Sequence, residues 1–331
     1  MKTLHYYEKP ISLHGIPNFE KTGILERLPE DVRNEVPTLQ FLGRRPAGAR
    51  LRFKTNAKNF SIRIFFEKIS VDIGMSIYAA QSAAVMIGKR YAGFVLPIKQ
   101  YQEPEAYGEF KKDDTLEQIT VFLPRNEVIT DIILEFPDDA EILPADPYTY
   151  DKPLLYYGSS ITEGAHVSRV TNGYNALLSA WLDTDYYNLG FSGSAKGEEP
   201  IARFIASLDI SAFIMDYDHN APDAEHLEKT HQKFFNIIRN AKPDMPIIIM
   251  TRPDFDYDAE CPKRREIIKK TYQDAKAAGD NNVYFIDGET FFGNEDRHYC
   301  TSDLIHPNDL GMYRMAKTIY PVLKEVLESL K

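Results

Sequence analysis

The sequence passes from an apolar run into a turn of glycine and serine at Leu154-Leu155-Tyr156-Tyr157-Gly158-Ser159-Ser160-Ile161-Thr162-Glu163-Gly164. A short, nearly continuous apolar run is typical of a parallel strand that is covered on both faces. Four more runs of this kind follow, at Tyr186–Leu189, Ala212–Asp216, Ile247–Met250 and Val283–Ile286. Apolar side chains recur at helical spacing between them, as from Leu227 to Ile238. This alternation predicts a three-layer α/β/α domain with a parallel five-stranded sheet.

The first half of the chain shows the shorter period of β-structure. From Phe60 to Phe66 apolar and polar residues alternate, which indicates a strand with one buried face. Further strands are predicted at Ser76–Ala80, Ala84–Ile87, Tyr91–Val95, Gln118–Leu123 and Asp131–Phe136. Several short strands separated by turns favour a β-sandwich or jelly roll. Prolines between Pro144 and Pro153 favour a linker. We therefore expect a β-sandwich domain over residues 1–148 and the α/β domain over 149–331.

Composition limits the classes of partner. The 331-residue chain has a formal net charge of −10, which disfavours nucleic acid or an anionic membrane surface as a general partner. No apolar run reaches the roughly 18 residues of a membrane span. No secretory signal is visible at the N-terminus, so a cytoplasmic location is expected, and a secreted or periplasmic one stays open if the sequence was trimmed. Cys261 and Cys300 are expected to be free thiols, with a disulfide between them as the less favoured alternative.

Three residues that can support acyl chemistry follow successive strand runs. The carboxyl ends of parallel strands meet at the edge of the sheet where such folds bind ligands. Ser160 follows the first run on a turn that exposes its hydroxyl, Gly193 follows the second, and Asn220 follows the third. Glycine lets a ligand approach the backbone, and an asparagine amide can face a developing oxyanion. Singly, each has an ordinary explanation as a cap, a glycine turn or an Asx-turn.

A fourth element lies just before the predicted final helix, at Asp303-Leu304-Ile305-His306. A carboxylate three residues before a histidine can fix the imidazole tautomer while the other ring nitrogen accepts a serine proton. The order serine, glycine, asparagine, Asp-x-x-His is much more specific than any of its parts.

This order resembles the SGNH (GDSL-type) hydrolase superfamily, and the resemblance covers about Lys152 to Leu330. It implies a flavodoxin-like SGNH domain in which Ser160 is the nucleophile, His306 the base and Asp303 the acid. It further implies an oxyanion hole made by the N–H groups of Ser160 and Gly193 and by the Asn220 amide. The implied chemistry is two-step acyl transfer, with no cofactor and no metal ion.

The sequence departs from the family at two places beside the site. Ser159 stands where aspartate is usual, and Asp218 and His219 stand where glycines are common. We expect His219 to narrow the acyl pocket and Asp218 to contact substrate. Arg252, after the fourth run, is a further candidate contact, with a surface salt bridge as the alternative. A metal site made of Asp216, Asp218 and His219 is the less favoured interpretation of this segment.

A β-rich N-terminal domain before this pattern looks like two-domain carbohydrate esterases and some acyltransferases. The expected function is that of a serine esterase acting on short acyl esters, often acetyl, on a carbohydrate or other small molecule. Two alternatives stay open: an acyltransferase with the same triad, and a carbohydrate-binding protein with a vestigial hydrolase domain. The oligomeric state is not predicted.

Overall fold

The computed structural model describes residues 1–70, 72, 74–98, 103–253 and 256–331. It divides into two units, and each combines several segments of the chain. The first contains Met1–Arg27, Arg44–Tyr148 and Ser168–Thr171; the second contains Leu28–Gly43, Thr149–Val167 and Asn172–Lys331. The predicted division between residues 148 and 149 places residues 28–43 in the first domain and residues 168–171 in the second. In the structure residues 28–43 belong to the second unit and residues 168–171 to the first.

The first unit is built on an antiparallel sheet. Its strands within the described residues are β1 (Lys2–His5), β2 (Ser12–His14), β3 (Arg50–Thr55), β4 (Asn59–Phe66), β5 (Ala83–Ile87), β6 (Arg90–Pro97), β7 (Glu105–Lys111), β8 (Glu117–Phe122), β9 (Ile129–Phe136) and β10 (Ile142–Leu143). They pair in the order β1-β9-β4-β7-β6-β5-β8-β3-β10, and β2 adds to β3. Two short helices, α1 (Phe19–Thr22) and α3 (Ile77–Ala80), lie in the connections.

The sheet curls so that its two halves face each other. Most of β6 pairs with β5, but its last residues, Leu96 and Pro97, pair with β7. Phe53 of β3 lies 5.6 Å from Phe136 of β9, ring centroid to centroid, although the two strands are distant in the sheet order. The inner faces therefore share one apolar core, as the predicted N-terminal β-domain requires.

The first unit differs from the sequence predictions in several details, since β1, β2, β3, β7 and β10 were not predicted and one predicted strand is a helix. Ser76–Ala80 is not a strand: the Ser76 hydroxyl accepts a hydrogen bond from the Tyr78 N–H and caps helix α3. Strand β3 was not predicted, and its charged residues Arg50 and Arg52 are buried. The Arg52 guanidinium lies 3.7 Å from the centre of the Tyr148 ring, so a charged side chain occupies a position that pattern rules assign to solvent.

The second unit contains the predicted parallel sheet. Its strands are β11 (Tyr150–Gly158), β12 (Thr184–Gly190), β13 (Ala212–Asp216), β14 (Ile247–Met250) and β15 (Val283–Ile286), in the order β12-β11-β13-β14-β15. All five predicted runs are strands. Pro153, assigned to the linker, instead lies inside β11, where the pairing with β12 is interrupted between Tyr150 and Leu154. That irregularity accommodates a residue without an N–H.

Helices cover both faces of this sheet. They are α2 (Glu30–Glu35), α4 (Ser160–Glu163), α5 (Tyr174–Leu182), α6 (Glu199–Ser207), α7 (Ala224–Ala241), α8 (Cys261–Ala277) and α9 (Asp309–Ser329). Alternate strand residues such as Leu155 and Phe213 pack with α6, α7 and α8. Tyr156 points to the opposite face, where its ring contacts Tyr174 of α5. The result is the predicted three-layer arrangement.

Two further predictions can be compared with this structure. Cys261 and Cys300 are buried, and neither forms a disulfide bond within the described residues. Among the described residues, no helix combines the length and the apolar character needed to cross a lipid bilayer.

Candidate active site

The turn after β11 presents Ser160. Gly158 has no room for a side chain, since a Cβ there would lie 2.1 Å from Thr162 Oγ1 and 2.5 Å from the Asp216 carbonyl oxygen. The Ser159 hydroxyl then accepts a hydrogen bond from the Ile161 N–H at 3.1 Å and caps α4. Ser160 is consequently the first residue of the helix, where its own N–H has no partner within the helix.

Ser160, His306 and Asp303 form one chain of hydrogen bonds. The Ser160 Oγ lies 2.8 Å from His306 Nε2, and His306 Nδ1 lies 2.8 Å from Asp303 Oδ2. The second carboxylate oxygen of Asp303 accepts hydrogen bonds from the backbone N–H groups of Ile305 and His306, at 3.1 and 2.7 Å. The turn before α9 thus fixes the carboxylate at both oxygens.

Asp303 remains ionised in this setting. Partial burial raises the pKa of its carboxyl, but the hydrogen bonds from the His306 backbone and ring outweigh that effect and lower it to about 2. A permanent carboxylate holds the Nδ1–H tautomer of the imidazole, which leaves Nε2 free to accept a proton from Ser160.

Gly193 and Asn220 lie on the two sides of Ser160, because β12 and β13 flank β11 in the sheet. Gly193 is exposed and has a φ of 67°, so its turn suits a residue without a side chain. Asn220 ends the 3₁₀ turn Asp218–Asn220, and its Nδ2 donates a hydrogen bond to the Phe191 carbonyl at 2.8 Å. That bond uses one of the two amide hydrogens and ties Asn220 to the loop that carries Gly193.

Asp218 does not have the surroundings of a substrate contact. Its side chain is 1% exposed and pairs with Arg264 Nε at 3.0 Å. It also accepts the Arg252 backbone N–H at 2.9 Å, and Arg264 bonds the Asp218 and Ala221 carbonyls. A buried, fully paired carboxylate of this kind holds the turn of Asn220 in place. Its predicted contact with substrate is not supported.

The other two candidate contacts lie in different environments. Arg252 forms an ion pair with Asp258 at 2.8 Å, but its side chain is only 8% exposed, so this salt bridge is not the surface pair of the alternative. His219 is half-buried, and its ring approaches His306 edge-on, with centroids 6.2 Å apart. Of the two, His219 is the one placed beside the imidazole of the hydrogen-bonded chain.

Buried polar side chains support the turn that carries Ser160. Asp216, at the end of β13, accepts hydrogen bonds from Thr162 at 2.8 Å and from the Tyr174 hydroxyl at 2.7 Å. Burial raises the pKa of Asp216 to about 7, against the lowering effect of these bonds. Glu163, the last residue of α4, accepts the N–H and hydroxyl of Ser192. The network joins the turn of Ser160 to the strands and to the loop of Gly193.

His166 was not predicted. Its ring is stacked on that of His306, with centroids 4.5 Å apart and an interplanar angle of 5°. Its Nε2 lies 3.8 Å from Asp303 Oδ2. The sequence offers no periodicity or motif that marks this position, because the contact depends on the path of the chain after α4.

Two groups of side chains come into question as ligands of a metal ion: a cluster at the end of the hydrogen-bonded chain, and the predicted set around Asp216 and Asp218. His166, Asp303 and His306 place ligand atoms within 4.8 Å of one another, the one such cluster among the described residues. A metal ion bound by two histidines lies close to the plane of each ring, whereas these rings are parallel and stacked. One ring would have to turn before the three could share an ion. Asp216 and Asp218 point into separate hydrogen-bond networks.

A family model described as the GDSL-like Lipase/Acylhydrolase family matches residues 151–324. No curated protein matches. A candidate GDSL-like lipase from Bacteroides ovatus ATCC 8483 superimposes with a TM-score of 0.88 at 24% sequence identity, covering 99% of this chain and 98% of that chain.

Two other solved structures share the fold. The salicylyl-acyltransferase SsfX3 from a tetracycline biosynthetic pathway has a TM-score of 0.79 at 19% identity, covering 98% of this chain and 97% of that chain. A family two carbohydrate esterase from Clostridium thermocellum, in complex with cellohexaose, has a TM-score of 0.66 at 13% identity, covering 85% and 93%. Identities this low establish a common fold and no more. The match of the family model extends over more than half of the 331 residues, and the chain therefore belongs to the GDSL-like lipase/acylhydrolase family and is an ester hydrolase of the SGNH type.

Proposed function

We propose that the chain hydrolyses short acyl esters, acetyl esters above all, carried on a carbohydrate. The observation that carries the proposal is the continuous hydrogen-bonded chain from Ser160 Oγ through His306 to Asp303, with both contacts at 2.8 Å. A serine hydroxyl becomes nucleophilic when a neutral imidazole accepts its proton, and the carboxylate holds that imidazole in the required tautomer.

The reaction has two steps. Ser160 Oγ attacks the ester carbonyl carbon while His306 Nε2 takes the hydroxyl proton, and the carbonyl oxygen becomes an oxyanion. His306 then protonates the departing alcohol, which leaves an acyl group on Ser160. Water, deprotonated by the same nitrogen, attacks the acyl-enzyme, and His306 returns that proton to Ser160 Oγ as the acid leaves. Atoms and charge balance at each step with no other reactant.

The oxyanion requires donors aimed at the place where the charge develops. The Ser160 and Gly193 N–H groups and the second Asn220 amide hydrogen are the proposed donors, since they follow three adjacent strands. A single donor of this type contributes about 3–4 kcal/mol to transition-state stabilisation. The Asp218–Arg264 pair and the Asn220 bond to Phe191 hold this arrangement before substrate arrives.

The substrate class rests on two lines of support. The half-buried His219 ring, 6.2 Å from that of His306, occupies space beside the imidazole of the triad, which favours a small acyl group. The carbohydrate is suggested by the likeness in fold to the esterase from Clostridium thermocellum solved with cellohexaose. The test is a screen of purified protein against acetylated mono- and oligosaccharides and against p-nitrophenyl esters from C2 to C8. Release of acetate from a sugar supports the proposal, and turnover of long-chain esters alone refutes its substrate class.

We expect a preference for acetyl over octanoyl esters that depends on His219. An acyl chain longer than about four carbons has to displace the imidazole, while burial of each added methylene returns at most about 0.8 kcal/mol. His219→Gly should therefore raise kcat/KM for the C8 ester and change it little for the C2 ester. His219→Gln, which keeps most of the bulk, is the matched control and should retain the acetyl preference. Equal use of both esters by the unaltered enzyme would refute the small pocket and leave the triad untouched.

We also expect an acid limb in the pH profile. Asp303, with a pKa of about 2, stays ionised throughout the assay range, so within the triad only protonation of the imidazole can remove activity on the acid side. kcat/KM should therefore fall on the acid side of the profile, as the imidazole becomes protonated and can no longer accept the serine proton. Initial rates at substrate concentrations well below KM, from pH 4 to 9, give this profile. A flat profile down to pH 4 is incompatible with a histidine base.

An acyltransferase is the second candidate, and one observation favours it. The salicylyl-acyltransferase SsfX3 shares the fold over 98% of this chain. In a transferase an alcohol replaces water in the second step, while the triad is the same. Product analysis with added sugars or alcohols separates the two: transfer that exceeds hydrolysis at millimolar acceptor identifies a transferase.

The other alternative is a carbohydrate-binding protein with a vestigial hydrolase domain. Such a protein would fail to react with a serine-directed phosphonate, because that reaction requires an activated serine.

A further inference from the structure

We propose that His166 is a positioning residue for His306: its ring keeps the imidazole in the one plane from which it can reach both Ser160 and Asp303. The proposal rests on the proposed serine mechanism and adds to it a residue outside the serine, glycine, asparagine and histidine pattern.

The backbone after α4 is shaped to return His166 to the site. Gly164 ends the helix with a φ of 96°, and the Ala165 N–H donates a hydrogen bond to the Ser160 carbonyl at 2.8 Å. His166 itself has a φ of 62°. A left-handed conformation is sparsely populated for residues other than glycine, and such conformations concentrate at functional sites. The chain therefore reverses within three residues and brings the His166 ring back to the site, where it stacks on the His306 ring.

The contact between the two rings is a face-to-face stack. The centroids are 4.5 Å apart, and the planes differ by 5°. The His166 and His306 side chains are 16% and 20% exposed, so this face of His306 is largely screened from water. The 3.8 Å between His166 Nε2 and Asp303 Oδ2 exceeds hydrogen-bond length. What His166 offers to His306 is the flat face of its ring.

The flat face of the His166 ring restrains a motion of His306 that the two hydrogen bonds of His306 do not restrain. Ser160 and Asp303 hold His306 at its two nitrogens, both within the plane of the ring. His219 meets the ring edge-on at 6.2 Å. Tilting of the imidazole out of its plane is opposed by the stacked His166. The imidazole takes a proton from Ser160 and returns it to the leaving alcohol, so its orientation has to persist through both transfers.

The experiment compares His166→Asn with His166→Phe. Asparagine tolerates the left-handed backbone but has no ring, whereas phenylalanine keeps a flat face without nitrogen atoms. kcat and KM are measured with p-nitrophenyl acetate, and Tm is measured for each variant. Because a displacement of about 1 Å in a catalytic group can cost about a hundredfold, we expect His166→Asn to lower kcat by about ten- to a hundredfold with KM little changed. His166→Phe should restore most of that loss.

Two further measurements sharpen the result. Ser160→Ala is the reference, since substantial activity in that variant refutes the serine mechanism itself and not only the role of His166. The proton NMR resonance of the His306 Nδ1–H should be broadened by exchange with water in His166→Asn and sharp in His166→Phe. Equal losses of kcat in both His166 variants, or no loss in either, overturn the positioning role. A rise in KM alone, with kcat unchanged, does so too, because it identifies His166 as a substrate contact.

Discussion

Ser160→Ala should lower kcat/KM by about four to six orders of magnitude and leave the fold intact. The hydroxyl removed is the one that lies 2.8 Å from His306 Nε2. Alanine is well tolerated in helices, so α4 should still form behind the Ser159 cap. Rates with p-nitrophenyl acetate, together with far-ultraviolet circular dichroism and Tm, provide the measurement.

Ser159→Ala is the matched control, because it removes a neighbouring hydroxyl with a different task. Ser159 accepts the Ile161 N–H at the start of α4, and loss of such a cap costs about 1 kcal/mol of stability. We expect a lower Tm with most of the turnover retained. A Ser160→Ala enzyme that keeps more than about a tenth of the original turnover would falsify the assignment of the nucleophile.

Asn220→Ala should lower kcat by about a hundred- to a thousandfold with little change in KM. One amide hydrogen of Asn220 is engaged by the Phe191 carbonyl, and the other is the proposed oxyanion donor. The hydrogen bond from this second amide hydrogen to the substrate oxygen strengthens as negative charge grows on that oxygen. Its loss therefore affects the transition state more than the bound ester. kcat and KM with p-nitrophenyl acetate separate the two effects.

Asn220→Asp tests the same position with nearly the same shape. A carboxylate cannot donate, and its charge repels the oxyanion, so we expect at least the loss seen with alanine. If both variants keep their kcat while Ser160→Ala is inactive, Asn220 serves only to tie its turn to Phe191. The oxyanion would then depend on backbone N–H groups alone.

The α/β half of the chain could be predicted from its sequence because its strands are buried on both faces. Runs such as Leu154–Tyr157 and Ile247–Met250 are apolar at successive positions, and few other structures require that. The β-rich half was harder to predict. Strand β3 carries buried arginines, and Ser76–Ala80 is helical through a local cap that outweighs its strand-like composition. At these positions the tertiary environment or a single hydrogen bond determines the secondary structure. Neither produces a repeating pattern in the sequence from which it could be predicted.

The same distinction applies to the site. Ser160 and His306 could be located because each stands beside a predicted strand or helix, and the structure brings them within hydrogen-bond distance. His166 depends on a left-handed backbone conformation that its sequence does not require. The burial of Asp218 against Arg264 was not predictable from the sequence, because the two residues are 46 positions apart in the chain. Positions set by secondary structure were predictable, and positions set by contacts between distant segments were not.

Ser160 and His306 are 146 positions apart in the chain, which has a consequence for biosynthesis. At 5–20 residues per second, a ribosome releases the base about 7 to 30 s after the nucleophile. In that interval β11 and its serine exist without the His306 imidazole, so Ser160 lacks the base proposed to activate it. The enzyme becomes active only when the turn before α9, which carries Asp303 and His306, has reached its place beside Ser160. During refolding, activity should therefore recover no faster than the slowest step of folding.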